Sequence, residues 1–207
     1  MKTAVKICGV TRIQDALAAA RCGAHAIGLV FYAPSPRYVE PEAAAAIVRA
    51  LPPFVTPVGL FVNADEGEVR SVISRVKVQL LQFHGAETPE FCGRFELPYM
   101  KAVRVRPGVD LLQYARDFAG AKALLLDAFQ DGLHGGTGAN FDWDLVPSAL
   151  PLPIVLSGGL TPDNVAQAIR RVKPCAVDVS SGVEVEKGIK DALKIAAFMR
   201  GVGHADV

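Results

Sequence analysis

The sequence has no cysteine pair spaced for a metal or redox motif, and it has no long apolar run. Its four cysteines, Cys8, Cys22, Cys92 and Cys175, are scattered without a CxxC pair, which excludes the zinc-ribbon and thioredoxin-like classes. This pattern is typical of reduced thiols in a cytoplasmic protein. No apolar stretch approaches the ~20 residues of a membrane span, and the first residues lack the pattern of a secretory signal. We therefore expect a cytoplasmic location and no membrane partner.

The chain also lacks an excess of positive or negative charge. The chain has 22 basic and 21 acidic residues and a net charge of +1, so no basic stripe suggests a nucleic-acid partner. Histidines and carboxylates are not clustered at metal-ligand spacing, and His25 and His134 are isolated. We expect neither a metal nor a cofactor.

What the chain does have is a regular alternation of two patterns. With 207 residues and 51% hydrophobic content, it is predicted to form a single globular domain over residues 1–207. Strand-like apolar runs begin at positions 4, 26, 56, 78, 99, 122, 153 and 176. Helix-like patterns cover positions 12–22, 41–51, 65–76, 88–95, 110–120, 141–150, 161–172 and 189–200.

Eight alternations of strand and helix allow an open, doubly wound sheet or a closed barrel. The strands are almost continuously apolar, as expected when both faces of a parallel sheet are buried. The count of eight, the regular spacing and the lack of a GxGxxG turn after the first strand favour the (β/α)8 TIM barrel. Asp65, Thr88 and Thr161 are predicted to cap the helices that follow them.

Reactive side chains collect where the predicted strands end, which is where barrel enzymes place their chemistry. Cys8 ends the first strand, His84 the fourth and Asp127 the sixth. Because the first and sixth strands are not neighbours, Cys8 and Asp127 would face each other across the mouth. A thiolate and a carboxylic acid in that arrangement suit proton abstraction coupled to proton donation.

Two glycine loops predict a phosphate site. "SGG" at 157–159 and "SSG" at 180–182 follow strands seven and eight, the usual position for phosphate in such barrels. Glycines let backbone N–H groups approach the oxygens, and "VEVEKG" at 183–188 is predicted to add a short helix whose dipole helps.

The chain resembles the phosphoribosylanthranilate isomerase family of tryptophan biosynthesis over nearly its whole length. The resemblance rests on these motifs: "KICGVT", "GLVFYAPSPRYV", "VGLFVN", "LLQFHG", "LLLDA" with "GGTGANFDW", "LSGGLTPDNV" and "VDVSSGVEVEKGIKD". It implies an Amadori rearrangement of a small phosphorylated substrate on an eightfold barrel.

The resemblance also implies roles for individual residues. Cys8 would be the general base and Asp127 the general acid. Arg37 would contact the anthranilate carboxylate. His84 and Asp178 are also expected to bind the substrate. The phosphate would be held by Gly158, Gly159, Ser181 and Gly182. The oligomeric state is left open between monomer and homodimer.

For these roles the thiol must ionise more readily than a model thiol of pKa ~8.5, and the aspartic acid must hold its proton more tightly. Lys6 shares a strand face with Cys8, and Asp178 shares one with Ser180 on the last strand. Since those strands are neighbours in a closed barrel, Lys6 and Asp178 are predicted to form a buried ion pair beneath Cys8.

Three other functions compete with this one. The sister isomerase of histidine biosynthesis performs the same rearrangement on a two-phosphate substrate, but its half-barrel repeat is missing here. A metal-dependent sugar-phosphate epimerase would need metal ligands. A barrel that only binds a phosphorylated metabolite would need the glycine loops without both Cys8 and Asp127.

Overall fold

The structure, a computed structural model, describes residues 2–128, 143–147 and 149–205. Eight parallel strands form a closed barrel in chain order, each paired with the next and the last with the first. The predicted barrel is confirmed. The strands are β1 Ala4–Ile7, β2 Ala26–Val30, β3 Thr56–Phe61, β4 Leu80–Phe83, β5 Tyr99–Val105, β6 Ala123–Ala128, β7 Ile154–Leu156 and β8 Ala176–Val179.

Helices follow most strands and cover the outside of the barrel. They are α1 Ile13–Arg21, α2 Pro41–Ala50, α3 Glu66–Val76, α4 Pro89–Cys92, α5 Leu111–Asp117, α6 Val165–Val172 and α7 Ala192–Gly203. Where a helix was predicted over 141–150, the described residues form a single 3-10 turn, Trp143–Leu145. No helix in the described ranges is long and apolar enough to cross a membrane.

Two of the three predicted helix caps are confirmed. Asp65 forms a reciprocal capping box with Glu68, and the Thr88 hydroxyl accepts the Phe91 N–H. The third prediction is wrong, because α6 begins at Val165. Residues 161–164 form a turn instead.

The residues after β8 correct another prediction. Ser181–Val183 form a 3-10 turn, and the predicted short helix over 183–188 is instead a hairpin of two strands, β9 Glu184–Glu186 and β10 Ile189–Lys190. Alternating charged and apolar residues with a glycine at the turn suit a hairpin. Gly188 occupies that turn with φ +84°, a left-handed conformation that other residues rarely adopt.

Strand side chains alternate between two cores. Outward residues such as Ile7, Leu124 and Leu156 pack with the helices. Inward residues such as Val58, Met100 and Leu125 fill the lower part of the barrel. This filling closes the lower end, so the open space lies above it, at the carboxyl ends of the strands.

Candidate active site

A cavity opens at the carboxyl ends of the barrel strands. It brings together most of the predicted site residues: Cys8, Arg37, His84, Asp127, Gly158, Gly159, Asp178 and Ser181. Gly182 lies just behind the lining, against Leu160. Part of the wall is apolar and is formed by Val30, Tyr32, Leu60 and Val62. The cavity therefore combines an apolar surface with polar groups from several strands and loops.

Cys8 is held at the end of β1 by two glycines. It is 5% exposed, and the chain turns at Gly9, whose φ is +70°. Across the strand pair, a Cβ at Gly28 would lie 2.7 Å from Cys8 Sγ and 2.9 Å from Lys6 Nζ. The missing side chain at position 28 therefore provides the space that the thiol and the ammonium group occupy.

Lys6 and Asp178 form the predicted buried ion pair. They lie opposite each other in the β1–β8 register, Nζ is 2.7 Å from Oδ1, and the side chains are 5% and 6% exposed. Burial lowers the pKa of Lys6, but the Asp178 carboxylate and the Cys8 sulfur outweigh it and raise that pKa. The ion pair therefore favours the charged form of Lys6. Ser157 Oγ, 3.3 Å from Asp178 Oδ2, donates a further hydrogen bond to the carboxylate.

The pKa of the Cys8 thiol differs from the prediction that it would be lowered. Burial raises the pKa of Cys8, Lys6 lowers it and Asp178 raises it again, so the pKa of this thiol ends above its ordinary value. The expected downward shift is therefore wrong. The reason is that Lys6 is paired with Asp178. The negative charge of Asp178 cancels part of the effect of Lys6 on the thiol, while the cost of burying a thiolate remains.

Asp127 is linked to two residues of β4 and the loop after it. His84 Nε2 lies 3.0 Å from Asp127 Oδ2, and His84 Nδ1 lies 2.9 Å from Gln82 Nε2. Asp127 is 3% exposed and Gln82 is fully buried. The sequence reasoning did not select Gln82, although its position two residues before His84 on a strand puts both on one face.

The two glycine loops meet at one side of the cavity. Gly158 and Gly159 have φ of +83° and +65°, a left-handed backbone that glycine adopts without strain. Asn164 Nδ2 donates to the Gly159 carbonyl at 2.9 Å, and its Oδ1 accepts the Thr161 N–H at 2.8 Å. The turn over 161–164, where a helix start was predicted, therefore fixes the first glycine loop.

Arg37 reaches the cavity from the loop after β2 and is already paired. Its Nε and Nη2 donate to the two carboxylate oxygens of Glu184 at 2.8 and 2.7 Å. Lys190 Nζ binds Glu184 at 2.7 Å and Ser180 Oγ at 3.3 Å. Burial raises the pKa of Glu184, but Arg37 and Lys190 lower it by a larger amount. The pKa therefore lies below its usual value and the carboxylate stays charged. The hairpin thus orients the guanidinium.

The segment "GLHGGTGANF" at 132–141, which includes most of one family motif and His134, lies outside the described residues. Within the described part of the chain, no group of three or more His, Cys, Asp or Glu residues is placed to hold a metal ion.

Comparison with known proteins agrees with this geometry. The family model for N-(5'-phosphoribosyl)anthranilate isomerase matches residues 5–201. The chain belongs to this family. It is 60% identical over 203 residues to the N-(5'-phosphoribosyl)anthranilate isomerase of Nitrosospira multiformis, covering 98% of each chain.

Solved structures of the family share the fold. The phosphoribosylanthranilate isomerase of Thermotoga maritima is 41% identical, with a TM-score of 0.88 over 97% of this chain and 98% of that one. Another structure of such an isomerase, 39% identical with a TM-score of 0.82 over 97% and 98%, holds reduced 1-(o-carboxyphenylamino)-1-deoxyribulose 5-phosphate.

The glycine beside the thiol leads to a first prediction for this member of the isomerase family. Gly28→Ala would force Cys8 Sγ and Lys6 Nζ to move, since neither can stay where the new methyl group lies. A misplacement of about 1 Å can cost ~100-fold in rate, so we expect kcat to fall about 10-fold or more. Gly93→Ala is the control, because a Cβ there meets nothing within 4 Å. Equal kcat values for the two variants would contradict the prediction.

A second prediction concerns the contact between the glycine loops. A Cβ on Gly182 would overlap the carbonyl oxygen of Leu160, so Gly182→Ala must push the two loops apart. If these loops bind the phosphate, KM should rise more than kcat falls. Steady-state kinetics of this variant and of Gly203→Ala, whose Cβ meets nothing within 4 Å, measure the effect. An unchanged KM would place the phosphate elsewhere.

Proposed function

We propose that this protein catalyses the Amadori rearrangement of N-(5-phosphoribosyl)anthranilate to 1-(2-carboxyphenylamino)-1-deoxyribulose 5-phosphate in tryptophan biosynthesis. One structural observation carries the proposal beyond family membership. Cys8 at the end of β1 and Asp127 on β6 line the same cavity from non-adjacent strands. The reaction needs an acid at the ring oxygen and a base at the second sugar carbon, and this arrangement supplies one of each.

Asp127 would act first. It donates its proton to the ring oxygen of the sugar as the C1–O bond breaks, and the nitrogen lone pair forms the C1=N bond of an iminium ion. The sugar opens with a hydroxyl at the former ring oxygen, and Asp127 is left as a carboxylate. The iminium ion carries a positive charge in a largely buried cavity, where charges interact more strongly than in water.

Cys8 would act second, as a thiolate. It removes the proton from C2, and the C–H electron pair forms the C1=C2 bond of the enolamine while the C1=N electrons return to nitrogen. The enolamine then tautomerises to the ketone. The iminium charge makes the C2 proton more acidic and favours a thiolate beside it, which offsets the effect of burial on the pKa of Cys8.

The remaining residues would bind the substrate. The apolar wall formed by Val30, Tyr32, Leu60 and Val62 fits the anthranilate ring. Arg37, whose Nε and Nη2 are occupied by Glu184, would bind the anthranilate carboxylate through its remaining nitrogen. His84 and Asp178 would contact the sugar hydroxyls. Backbone N–H groups of Gly158, Gly159, Ser181 and Gly182 would hold the phosphate.

A fluorescence assay for turnover of phosphoribosylanthranilate tests the proposal directly. We expect rapid loss of the substrate signal with purified enzyme. Turnover of the two-phosphate histidine-pathway substrate alone would favour the sister isomerase. Binding of the product without turnover would make the barrel a metabolite-binding protein, and either result would refute the proposed activity.

We also propose a cytoplasmic location and a monomeric or homodimeric state. All four cysteines fall in the described part of the chain and carry free thiols, which agrees with a reducing compartment. Cys175 is the exposed one of the four. Light scattering on the purified protein measures the mass of the assembly.

A further inference from the structure

We infer that Lys190, which does not line the cavity, gives the substrate-carboxylate subsite at Arg37 its surplus of positive charge and thereby sets the preference of this subsite for an anionic group. The inference rests on the proposed function, because it takes the anthranilate carboxylate as the group that Arg37 binds. The side chain of Lys190 is 0% exposed. It can therefore act on the substrate only through the residues that it contacts.

The pair of Arg37 and Glu184 is electrically neutral by itself. Arg37 Nε and Nη2 donate to the two carboxylate oxygens at 2.8 and 2.7 Å, and the two side chains are 9% and 5% exposed. The charge of the guanidinium is thus matched before a substrate binds. Such a pair offers an incoming carboxylate a hydrogen-bond donor, but attracts it less than an unpaired guanidinium would.

Lys190 adds a second positive charge to the same carboxylate. Its Nζ lies 2.7 Å from Glu184 Oε1, the oxygen that also accepts from Arg37 Nε. The other contacts of Nζ are the carbonyl and hydroxyl oxygens of Ser180, at 3.2 and 3.3 Å. Three oxygens around one nitrogen suit an ammonium group, which has three N–H donors and no acceptor. Two cations therefore share one anion in the Arg37–Glu184–Lys190 cluster, which leaves one positive charge in surplus.

The charged groups that surround Lys190 do not remove this surplus. Asp15 accepts the Lys190 backbone N–H at 3.1 Å, but Arg12 already donates to both of its carboxylate oxygens, at 3.0 and 2.8 Å. Lys194 Nζ binds the Glu184 backbone carbonyl at 2.7 Å and adds a further positive charge. The missing negative charge must therefore come from a ligand.

The surplus charge reaches the cavity at Arg37, the only member of the cluster that lines it. Of the guanidinium nitrogens, only Nε and Nη2 have hydrogen-bond partners among the described residues, so Nη1 is left for a ligand. Lys6, by contrast, is matched by Asp178. Because a buried charge without a counter-ion is costly, a carboxylate at Nη1 would complete the cluster.

Binding of two product analogues tests the inference without turnover. The first is reduced 1-(o-carboxyphenylamino)-1-deoxyribulose 5-phosphate, and the second is the same compound with hydrogen in place of the carboxylate. We expect wild-type enzyme to bind the first at least ~10-fold more tightly, as for a hydrogen bond between charged groups. In Lys190→Met the ratio should fall to about 3-fold, the effect of an ordinary hydrogen bond. Calorimetry measures the dissociation constants.

The ratio separates the charge of Lys190 from a merely structural role. Loss of the Ser180 contacts in Lys190→Met acts on both compounds alike, since both carry the phosphate, and leaves the ratio unchanged. Lys187→Met is the control, because Lys187 is an exposed lysine of the same hairpin and its removal should leave the ratio at the wild-type value. A wild-type ratio in Lys190→Met would overturn the inference.

Glu184→Gln supplies a second test with the opposite expectation, and it does not depend on the folding of Lys190→Met. This variant removes the anion and keeps both cations, so its preference for the carboxylate compound should equal or exceed that of the wild type. A reduced preference in Glu184→Gln would show that the cluster acts by holding the guanidinium in place, which would overturn the inference.

Failure of the inference and failure of the proposed function give different results. Turnover of phosphoribosylanthranilate by a wild-type enzyme that binds both analogues equally would overturn the inference and leave the activity standing. The expected ratios in an enzyme without turnover would refute the activity and support the role of Lys190 in anion binding.

Discussion

Asp127→Asn and Cys8→Ser are each expected to reduce kcat by ~10²- to 10⁴-fold, the usual contribution of a positioned acid or base. Asparagine keeps the size and hydrogen-bonding reach of Asp127 but has no carboxylic proton. Serine keeps the shape of Cys8 but ionises far less readily. Because both substitutions nearly conserve side-chain size and both residues line the cavity, neither change should alter the barrel strands. Steady-state turnover and circular dichroism of each variant measure the two effects.

Matched controls exist elsewhere in the chain. Cys175 is an exposed thiol and Asp163 an exposed carboxylate, so Cys175→Ser and Asp163→Asn should keep wild-type kcat. Near-wild-type activity of Cys8→Ser would remove Cys8 as the base. If Asp127→Asn lost affinity for the product while keeping kcat, Asp127 would be a binding group and not the acid.

Lys6→Met is expected to lower the free energy of unfolding by about 3–5 kcal/mol, the range seen when one partner of a buried ion pair is removed. Methionine keeps much of the volume of lysine, so the loss comes from leaving the Asp178 carboxylate buried without its cation. Urea denaturation at pH 8 measures this. Lys122→Met, at an exposed position, is the control.

The pH dependence of the wild-type pair has a definite sign. Because the folded state raises the pKa of Lys6 above 10.5, the stabilisation is complete below pH 10.5 and is lost only as the pH rises through the folded value. It should be constant from pH 6 to 9. A wild-type midpoint for Lys6→Met at pH 8 would show that the pair contributes nothing.

The same pair should control the ionisation of Cys8. Lys6 lowers the pKa of the thiol and Asp178 raises it, so Lys6→Met should shift thiolate formation to higher pH and Asp178→Asn to lower pH. The ultraviolet absorbance of the thiolate, taken as the difference from the same variant carrying Cys8→Ser, follows this titration. Shifts in the same direction for both variants would contradict the electrostatic account.

Local patterns in the sequence were sufficient where the determining interactions are local. The caps at Asp65 and Thr88 were predictable because each side chain binds a backbone N–H within three residues. They failed at Thr161, where the Asn164 side chain accepts the Thr161 N–H and forms a turn, and at 183–188, where the hairpin has a partner far along the chain. Asn164 binds the glycine loop, and Glu184 in the hairpin binds Arg37 from another loop.

The spacing of the apolar runs predicted the eight strands and favoured the closed barrel. The barrel in turn implied the clustering of Cys8, Asp127 and the glycine loops, because strand ends in a closed parallel barrel must share one rim. The sequence also predicted the Lys6–Asp178 pair, since alternation and strand adjacency are enough to place both side chains. The tertiary structure alone decided the space at Gly28, the bidentate orientation of Arg37 and the line from Gln82 to Asp127. It also decided the direction of the thiol pKa, because that direction is a balance between burial and opposing charges at distances that no sequence pattern encodes.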